Sequence, residues 1–387
     1  MNTPILRRYI ESLPSLTTSI AKQQWKASQE IFTTSFMPHI ERIYLTGCGD
    51  SYHASVGSVL AFEQMTGIPS FAQTAMQLSR FSSPFFSDAS KGSILVLAIS
   101  ASGEVSRTIE ALDLAKKAGA TTIAITANEK STLAVIADFV LSTAISPLPD
   151  EPQDIIVPGS RSYMVSLVSL YSVAIAAGMA WNHHTGPDAT ILAQELSNSG
   201  ELIQWTIENS SKTAKVAAER WIDDDGFVFC GAGPNYGTAM FSAAKLLEAS
   251  GDQAIGQDLE EWAHLQFFAR RANTPTVIIS GGIWDQDRAM EVADAARTIG
   301  RQLAVVAPSD SPLVDLASDD DCVFQVAPIR DSISPLVTGI PGMLFASERA
   351  SHIGEPYFRD FAGGRSREGG GGISRIRTSN RIAKHLE

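Results

Sequence analysis

The stretch Ser93–Thr126, "SILVLAISASGEVSRTIEALDLAKKAGATTIAIT", joins an apolar run to a helix-periodic run through a turn of small hydroxyl residues. Ile94 to Ile99 carries no polar side chain, as a strand buried on both faces of a parallel sheet requires. In the segment that follows, Val105, Ile109 and Leu112 keep helical spacing and predict one face packed on that sheet. "TTIAIT" then reads as the next strand.

The same alternation recurs on either side. "RIYLTG" precedes "HASVGSVLAFEQMTG", and "TTIAIT" precedes "STLAVIADFVLST". It also begins again: "YLTGCGDSYHASVGSVLAFEQMTG" (44–67) is echoed by "VFCGAGPNYGTAMFSAAKLLEASG" (228–251), and "ALDLAKKAGATTIAIT" by "VADAARTIGRQLAVVAP". Two copies of one βα fold are the simplest account. The expected class is therefore α/β, two tandem domains, each a parallel sheet flanked by helices in a doubly wound, flavodoxin-like three-layer arrangement. The boundaries read as an N-terminal helical segment (1–24), a first domain (25–200), a second domain (201–345) and a tail (346–387) that is either mobile or a lid.

At 387 residues the chain is long enough for two domains with their own cores, and 44% hydrophobic with 19% charged residues is ordinary for a globular protein. A net charge of −12 argues against nonspecific attraction to nucleic acid or an anionic membrane, so neither is an expected partner. Cys48, Cys230 and Cys322 are widely spaced and odd in number, which suits a reducing compartment and excludes a disulfide framework. The start, "MNTPILRRYIESLPS", holds no apolar segment of signal-peptide length, and no later run reads as long enough to cross a bilayer, so a cytoplasmic protein is expected.

A strand that ends in Ser100 and Ser102 and passes directly into a helix presents hydroxyls, backbone N–H groups and the positive end of the helix dipole. Gly103 would let the backbone approach an oxyanion closely. The first βα turn, Gly47-Cys48-Gly49-Asp50-Ser51, offers further donors on the same sheet edge, where open α/β sheets bind ligands. The bland alternative for Ser102 is a helix N-cap. Neither turn is a Walker loop or a complete dinucleotide fingerprint, so a phosphate-bearing small molecule is favoured over a nucleotide. The second copy reads Ser280-Gly281-Gly282-Ile283-Trp284 where the first has Ser100-Ala101-Ser102-Gly103-Glu104, losing the second serine and the acid.

"GCGDSYHA", "ISASGEVSRTIEALDLAKKAGATTIAIT" and "STLAVIADFVL" resemble the sugar isomerase (SIS) domain, and the resemblance runs over residues 20–345. The tandem arrangement is similar to the isomerase half of glucosamine-6-phosphate synthase and to the fructosamine-6-phosphate deglycases. It implies Ser51, Ser100 and Ser102 as phosphate ligands, with Gly49 and Gly103 shaping the turns. Val105 and Asp50 stand where the family has threonines, Ser106 is placed to compensate, and Glu104 would point away from the anion. "VPGSRSYMVSL" falls where synthases hold the sugar, which nominates Ser160 and Arg161. The synthases' tail lysine has only Arg375 and Arg377 at comparable places, and an arginine cannot serve as a Schiff-base amine. With no glutaminase segment ahead of the first helix, glutamine-fed synthesis is not expected.

Acid–base candidates lie in the second copy. In "GTAMFSAAKLLEAS", Met240, Ala243, Ala244 and Leu247 read as an apolar stripe that continues to Glu248, where desolvation would raise the carboxyl pKa. In "DLEEWAHLQFF", His264 follows Glu261 by three residues, which would orient its ring. By the resemblance these are the catalytic glutamate and histidine. No cofactor is implied. His183, His184, His39, His53, His352 and His385 make no metal-ligand spacing. The reading is an enzyme that moves a proton between C1 and C2 of an amino-hexose 6-phosphate, deglycase-like, as a homodimer. The alternatives are an amino-sugar-phosphate isomerase or deaminase and a non-catalytic phosphosugar sensor; the latter loses ground because no DNA-binding segment precedes the first domain and the acid–base pair is present.

Overall fold

The computed structural model describes residues 4–34, 40–86, 92–152, 155–363 and 376–379. The chain runs α1 (Ile5–Glu11), α2 (Leu13–Thr34), β1 (Arg42–Gly47), α3 (Asp50–Thr66), β2 (Ser70–Thr74), α4 (Ala75–Gln77), β3 (Ile94–Ile99), α5 (Ser106–Lys117), β4 (Thr121–Thr126), α6 (Thr132–Ile136), β5 (Phe139–Ser142), α7 (Arg161–Ala180) and α8 (Gly186–Arg220). It continues through β6 (Gly226–Gly231), α9 (Pro234–Ala249), β7 (Gln253–Asp258), α10 (Leu259–Leu265), β8 (Thr276–Ile279), α11 (Gln286–Thr298), β9 (Leu303–Pro308), α12 (Pro312–Asp315), β10 (Cys322–Val326) and α13 (Pro335–Ile353).

Two all-parallel sheets result, ordered β2-β1-β3-β4-β5 and β7-β6-β8-β9-β10, the same topology twice. The tandem α/β fold read from the sequence is present. β3 is buried along its whole length and flanked on both sides, whereas the edge strand β7 has only exposed and half-buried residues. That difference follows from position in the sheet: a central strand of a parallel sheet is covered on both faces.

The chain divides into two compact units. One comprises residues 17–149, 162–197 and 363–387 and holds the first sheet; the other comprises residues 1–16, 150–161 and 198–362 and holds the second. The boundaries expected at 24, 200 and 345 all fall inside helices, α2, α8 and α13. The proposed lid residues 364–375, with Arg375, lie outside the described residues.

Three local expectations change. The buried stripe of α5 is Thr108, Ala111, Leu112 and Ala115 together with Glu110, while Val105 and Ile109 are half-buried. Contrary to the sequence reading, α7 is long and apolar enough to cross a membrane, with a mean hydropathy of 1.7 over its best window, of which 89% is buried in the protein. Its apolarity is that of a core helix. Gly178 lets it press on α3, since a Cβ there would lie 1.9 Å from the Met65 carbonyl oxygen, and the Tyr171 hydroxyl donates to the Gly57 carbonyl at 3.2 Å. On α9 the buried face is not the expected apolar stripe. Thr238, Phe241, Ser242, Lys245 and Leu246 are buried, Leu247 is 46% exposed, and Met240 and Ala244 are half-buried. The helix packs on β6 and β7 and also against α13, so more than one face is covered.

Candidate functional site

In the first unit the carboxyl ends of β1 and β3 lie side by side, with Thr46 paired to Ala98. A Cβ on Gly47 would lie 3.0 Å from the Ile99 carbonyl oxygen and 2.7 Å from the Ser51 Cβ, so only a glycine admits this approach. Gly49 starts α3 with φ 58° and ψ −130° and no side-chain cap, and the Thr108 hydroxyl of α5 reaches the Cys48 sulfur at 3.6 Å. The fold therefore brings Gly49, Ser51, Ser100, Ser102, Gly103 and Ser106 to one sheet edge.

Each residue of the second turn has a definable task. The Ser100 hydroxyl is buried and accepts from Gly103 N at 3.1 Å, which leaves its hydrogen as the group available to a ligand. The exposed Ser102 accepts from Glu104 N at 3.3 Å and does not cap α5, whose N-cap residue is Val105 with no side-chain bond. The N-terminus of α5 is thus left to a ligand or solvent. Glu104 turns away as expected: its carboxylate takes Thr132 N at 2.9 Å and the Thr132 hydroxyl at 2.8 Å. Gly103 is required for a different reason from the one expected. At φ 68° its Cβ would fall 2.0 Å from the Ser131 hydroxyl oxygen, so the glycine lets the turn close on the N-cap residue of α6 rather than only on a ligand.

Charge at this edge comes from Asp50 and Arg377, which the sequence reading named, and from Arg80, Arg107 and Glu110, which it did not. Asp50 occupies the first turn of α3, where the helix dipole favours it, with His53 Nδ1 at 3.7 Å. Arg107 bonds the buried Glu110, which also takes Arg80 at 3.3 Å, and donates to the Ser379 carbonyl at 3.2 Å. That last bond seats residues 376–379 on α5, and Arg377 with Arg107 acts electrostatically on Cys48, whose thiol is pushed up by desolvation against these favourable contributions. Long-range bonds of this kind leave no motif in the sequence.

In the second unit Glu248 is half-buried, and its nearest charge is the ammonium of Lys245, with which it pairs. Lys245 is fully buried and lies 5.3 Å from the Phe241 ring centroid. The expectation of a carboxylate on an apolar stripe is thus replaced by an ion pair one turn apart, and the K-x-x-E spacing was the signal for it. His264 is exposed. Its Nε2 lies 3.1 Å from Glu260 Oε1, not from Glu261, and Arg288 of α11 holds the same carboxylate at 2.7 and 2.8 Å. That guanidinium, with the histidine, holds the Glu260 carboxyl below its ordinary range. Ser160 is fully buried, and Arg161 stacks over the Tyr9 ring at 5.6 Å, next to Glu151, which bonds the Tyr9 hydroxyl. Among the described residues no cluster of three or more His, Cys, Asp or Glu side chains is arranged to hold a metal ion.

The first sheet with both of its turns falls inside a stretch, residues 37–176, that matches the SIS domain family. These residues are a SIS domain. Over a longer span the chain is 25% identical, across 315 residues, to a glutamine-fructose-6-phosphate aminotransferase (isomerizing) of Gloeobacter violaceus, covering 81% of this chain and 50% of that protein. To the protein of the same name from Caldanaerobacter subterraneus it is 27% identical over 314 residues, covering 81% and 49%. The chain thus spans about half the length of the curated relatives it matches. Among solved structures, the C-terminal domain of glucosamine-fructose-6-phosphate aminotransferase from Francisella tularensis superposes with a TM-score of 0.77 at 21% identity, covering 89% of this chain and 96% of that one. Tagatose-6-phosphate ketose/aldose isomerase from Escherichia coli gives 0.68 at 15%, covering 91% and 94%. Both likenesses extend over the SIS domain and the second sheet, which shares its strand order.

Proposed function

We propose that the chain is a phosphosugar isomerase-type enzyme acting on an amino-hexose 6-phosphate, with fructosamine 6-phosphate as the substrate and a deglycase-like outcome. The observation that carries this reading is the paired strand-end turn of the SIS domain, where two uncapped helix N-termini and the Ser100 and Ser102 hydroxyls converge on one sheet edge. That arrangement suits a phosphate better than any neutral group.

In this reading Glu248 takes a proton from C1 of the open-chain ketoamine and returns it to C2. The C1–N bond becomes an imine, water adds to C1, and the amine leaves with a proton, giving an aldose 6-phosphate without net oxidation. Lys245 is a positioning residue that holds the Glu248 carboxylate in place through their ion pair. His264, oriented by Glu260, exchanges the proton at the ring oxygen or the departing amine. Ser160 and Arg161 hold the sugar, and the enzyme works as a homodimer.

The relatives favour a second reading within the same chemistry, an amino-sugar-phosphate isomerase, because the named activity of those proteins is an isomerizing aminotransferase. A panel of fructosamine, glucosamine and fructose 6-phosphates separates the two. Release of aldose 6-phosphate with free amine from fructosamine 6-phosphate supports the deglycase reading; interconversion of glucosamine and fructose phosphates supports the second; binding without turnover of any of them overturns both.

A further inference from the structure

The second sheet repeats the phosphate turn of the first with the same kinds of bond, the glycine amide that meets the serine hydroxyl coming two residues after Ser280 and three after Ser100. Ser280 N donates to the Val306 carbonyl at 3.0 Å, as Ser100 N does to Ile125 at 3.0 Å. The Ser280 hydroxyl accepts from Gly282 N at 3.0 Å, as Ser100 accepts from Gly103 N at 3.1 Å. Both glycines have positive φ, 90° and 68°. The companion turns match as well, Gly233 starting α9 at φ 52° and ψ −126° and Gly49 starting α3 at φ 58° and ψ −130°. What differs is that the second turn already holds anionic groups.

Asp331, from the short helical turn after β10, is only 6% exposed. Its Oδ2 accepts from Trp284 N at 2.9 Å, and the Ile283 amide also favours its charge. Its buried Oδ1 has no hydrogen-bond partner and fills the space over the turn, since a Cβ on Gly281 would lie 2.4 Å from it. Asp285, the N-cap residue of α11, takes the Ser280 hydroxyl at 2.6 Å on Oδ1, while its buried Oδ2 is likewise unpartnered. Two carboxylates at a strand-end turn and a helix N-terminus carry the charge of one phosphate dianion, met by the same kind of donors.

We infer that the second strand-end turn is a latent phosphate site kept closed by carboxylates of its own chain, with Asp331 as the group that fills it. The unpartnered Oδ1 is the sign: a carboxylate placed only for stability would be expected to satisfy both oxygens. The chain then binds one phosphosugar, not two, because the first copy keeps its turn open and the second occupies its own.

The inference rests on reading the first turn as a phosphate site, but the two can fail separately. Inorganic phosphate is titrated calorimetrically into the full chain, with phosphorus NMR as the second readout. Asp331→Ala is expected to bind one more phosphate per chain than wild type. Asp331→Asn still fills the turn and still accepts from Trp284 N, so it should keep the wild-type stoichiometry. If wild type binds none and Asp331→Ala binds one, the first-turn reading fails and this one stands. A folded Asp331→Ala with wild-type stoichiometry overturns it. Should that variant and Asp331→Ser both fail to fold, folding that millimolar phosphate restores supports the inference, and folding that it does not restore overturns it.

Discussion

Replacing Gly103 by alanine separates two costs that usually arrive together. The first is backbone strain: φ is 68°, and an L-residue in the left-handed region loses about 1–2 kcal/mol. The second is overlap. The new Cβ would sit 2.0 Å from the Ser131 hydroxyl oxygen, 2.3 Å from its Cβ and 2.9 Å from the Thr126 hydroxyl oxygen. The Cβ contact cannot be relieved by a rotamer change, so the start of α6 must move, at roughly 1–3 kcal/mol for overpacking. Ser131 also caps α6 by accepting from Ala134 N, a bond worth about 1 kcal/mol if displaced. The sum is roughly 3–6 kcal/mol. Gly354, at φ 69° in the C-cap of α13 with nothing within 4 Å of its Cβ, supplies the control, and Gly354→Ala should cost only the strain, about 1–2 kcal/mol. Urea unfolding of both variants against wild type gives the comparison. Equal losses would refute the packing argument and leave Gly103 explained by its φ alone.

The remaining predictions are shorter. Ser102→Ala should weaken sugar-phosphate binding with little change in stability, whereas Ser100→Ala should also cost about 0.5–1 kcal/mol because it removes one of two acceptors of Gly103 N, the Ser100 carbonyl remaining; thermal melts with binding titrations distinguish them. Glu248→Gln should lower turnover by roughly two to four orders of magnitude with substrate binding retained, and near wild-type turnover would remove Glu248 from the mechanism. Burial raises the Asp331 and Asp285 carboxyls above their ordinary values, so the folded state holds those protons more tightly than the unfolded chain. Their contribution is therefore full below the unfolded carboxyl pKa and lost as pH rises through the folded values; Asp331→Asn should gain on wild type over that rise, and parallel urea midpoints across pH would contradict it. Light scattering should give twice the chain mass, and a monomer at micromolar concentration would count against the dimer.

What the sequence made legible depended on how local the cause was. The run from Ser93 to Thr126 declares strand, turn and helix because period and turn chemistry are local properties. The residues of the two strand-end turns could be named for the same reason. His264 shows the limit. Spacing nominated Glu261 at three residues, but the Asp258 side chain caps α10 through the Glu260 and Glu261 amides, and Arg288, from another helix, bonds Glu260, the carboxylate that lies against the ring. Lys245 shows it again. A lysine on an amphipathic helix reads as solvated, yet α9 is covered by strands on one side and α13 on another, and tertiary packing buries the ammonium beside Glu248. Asp331 was invisible for the same reason, since its role depends on a turn 47 residues earlier.

The assignment of α1 to the same unit as residues 198–362 bears on biosynthesis. Leu6, Ile10 and Leu13 are fully buried, and Leu6 N donates to the Tyr357 hydroxyl, 351 residues further on. At the usual pace of elongation that partner leaves the ribosome roughly 20–70 s after Leu6. For much of that interval the apolar face of α1 lacks its cover from α13, although Glu151 and Ser211, partners of Tyr9 and Arg7, emerge earlier, and the strands of the first sheet are already emerging. Holding such a segment is work for a chaperone, and the yield of correctly folded chain should respond to chaperone supply more than to the stability of the finished protein.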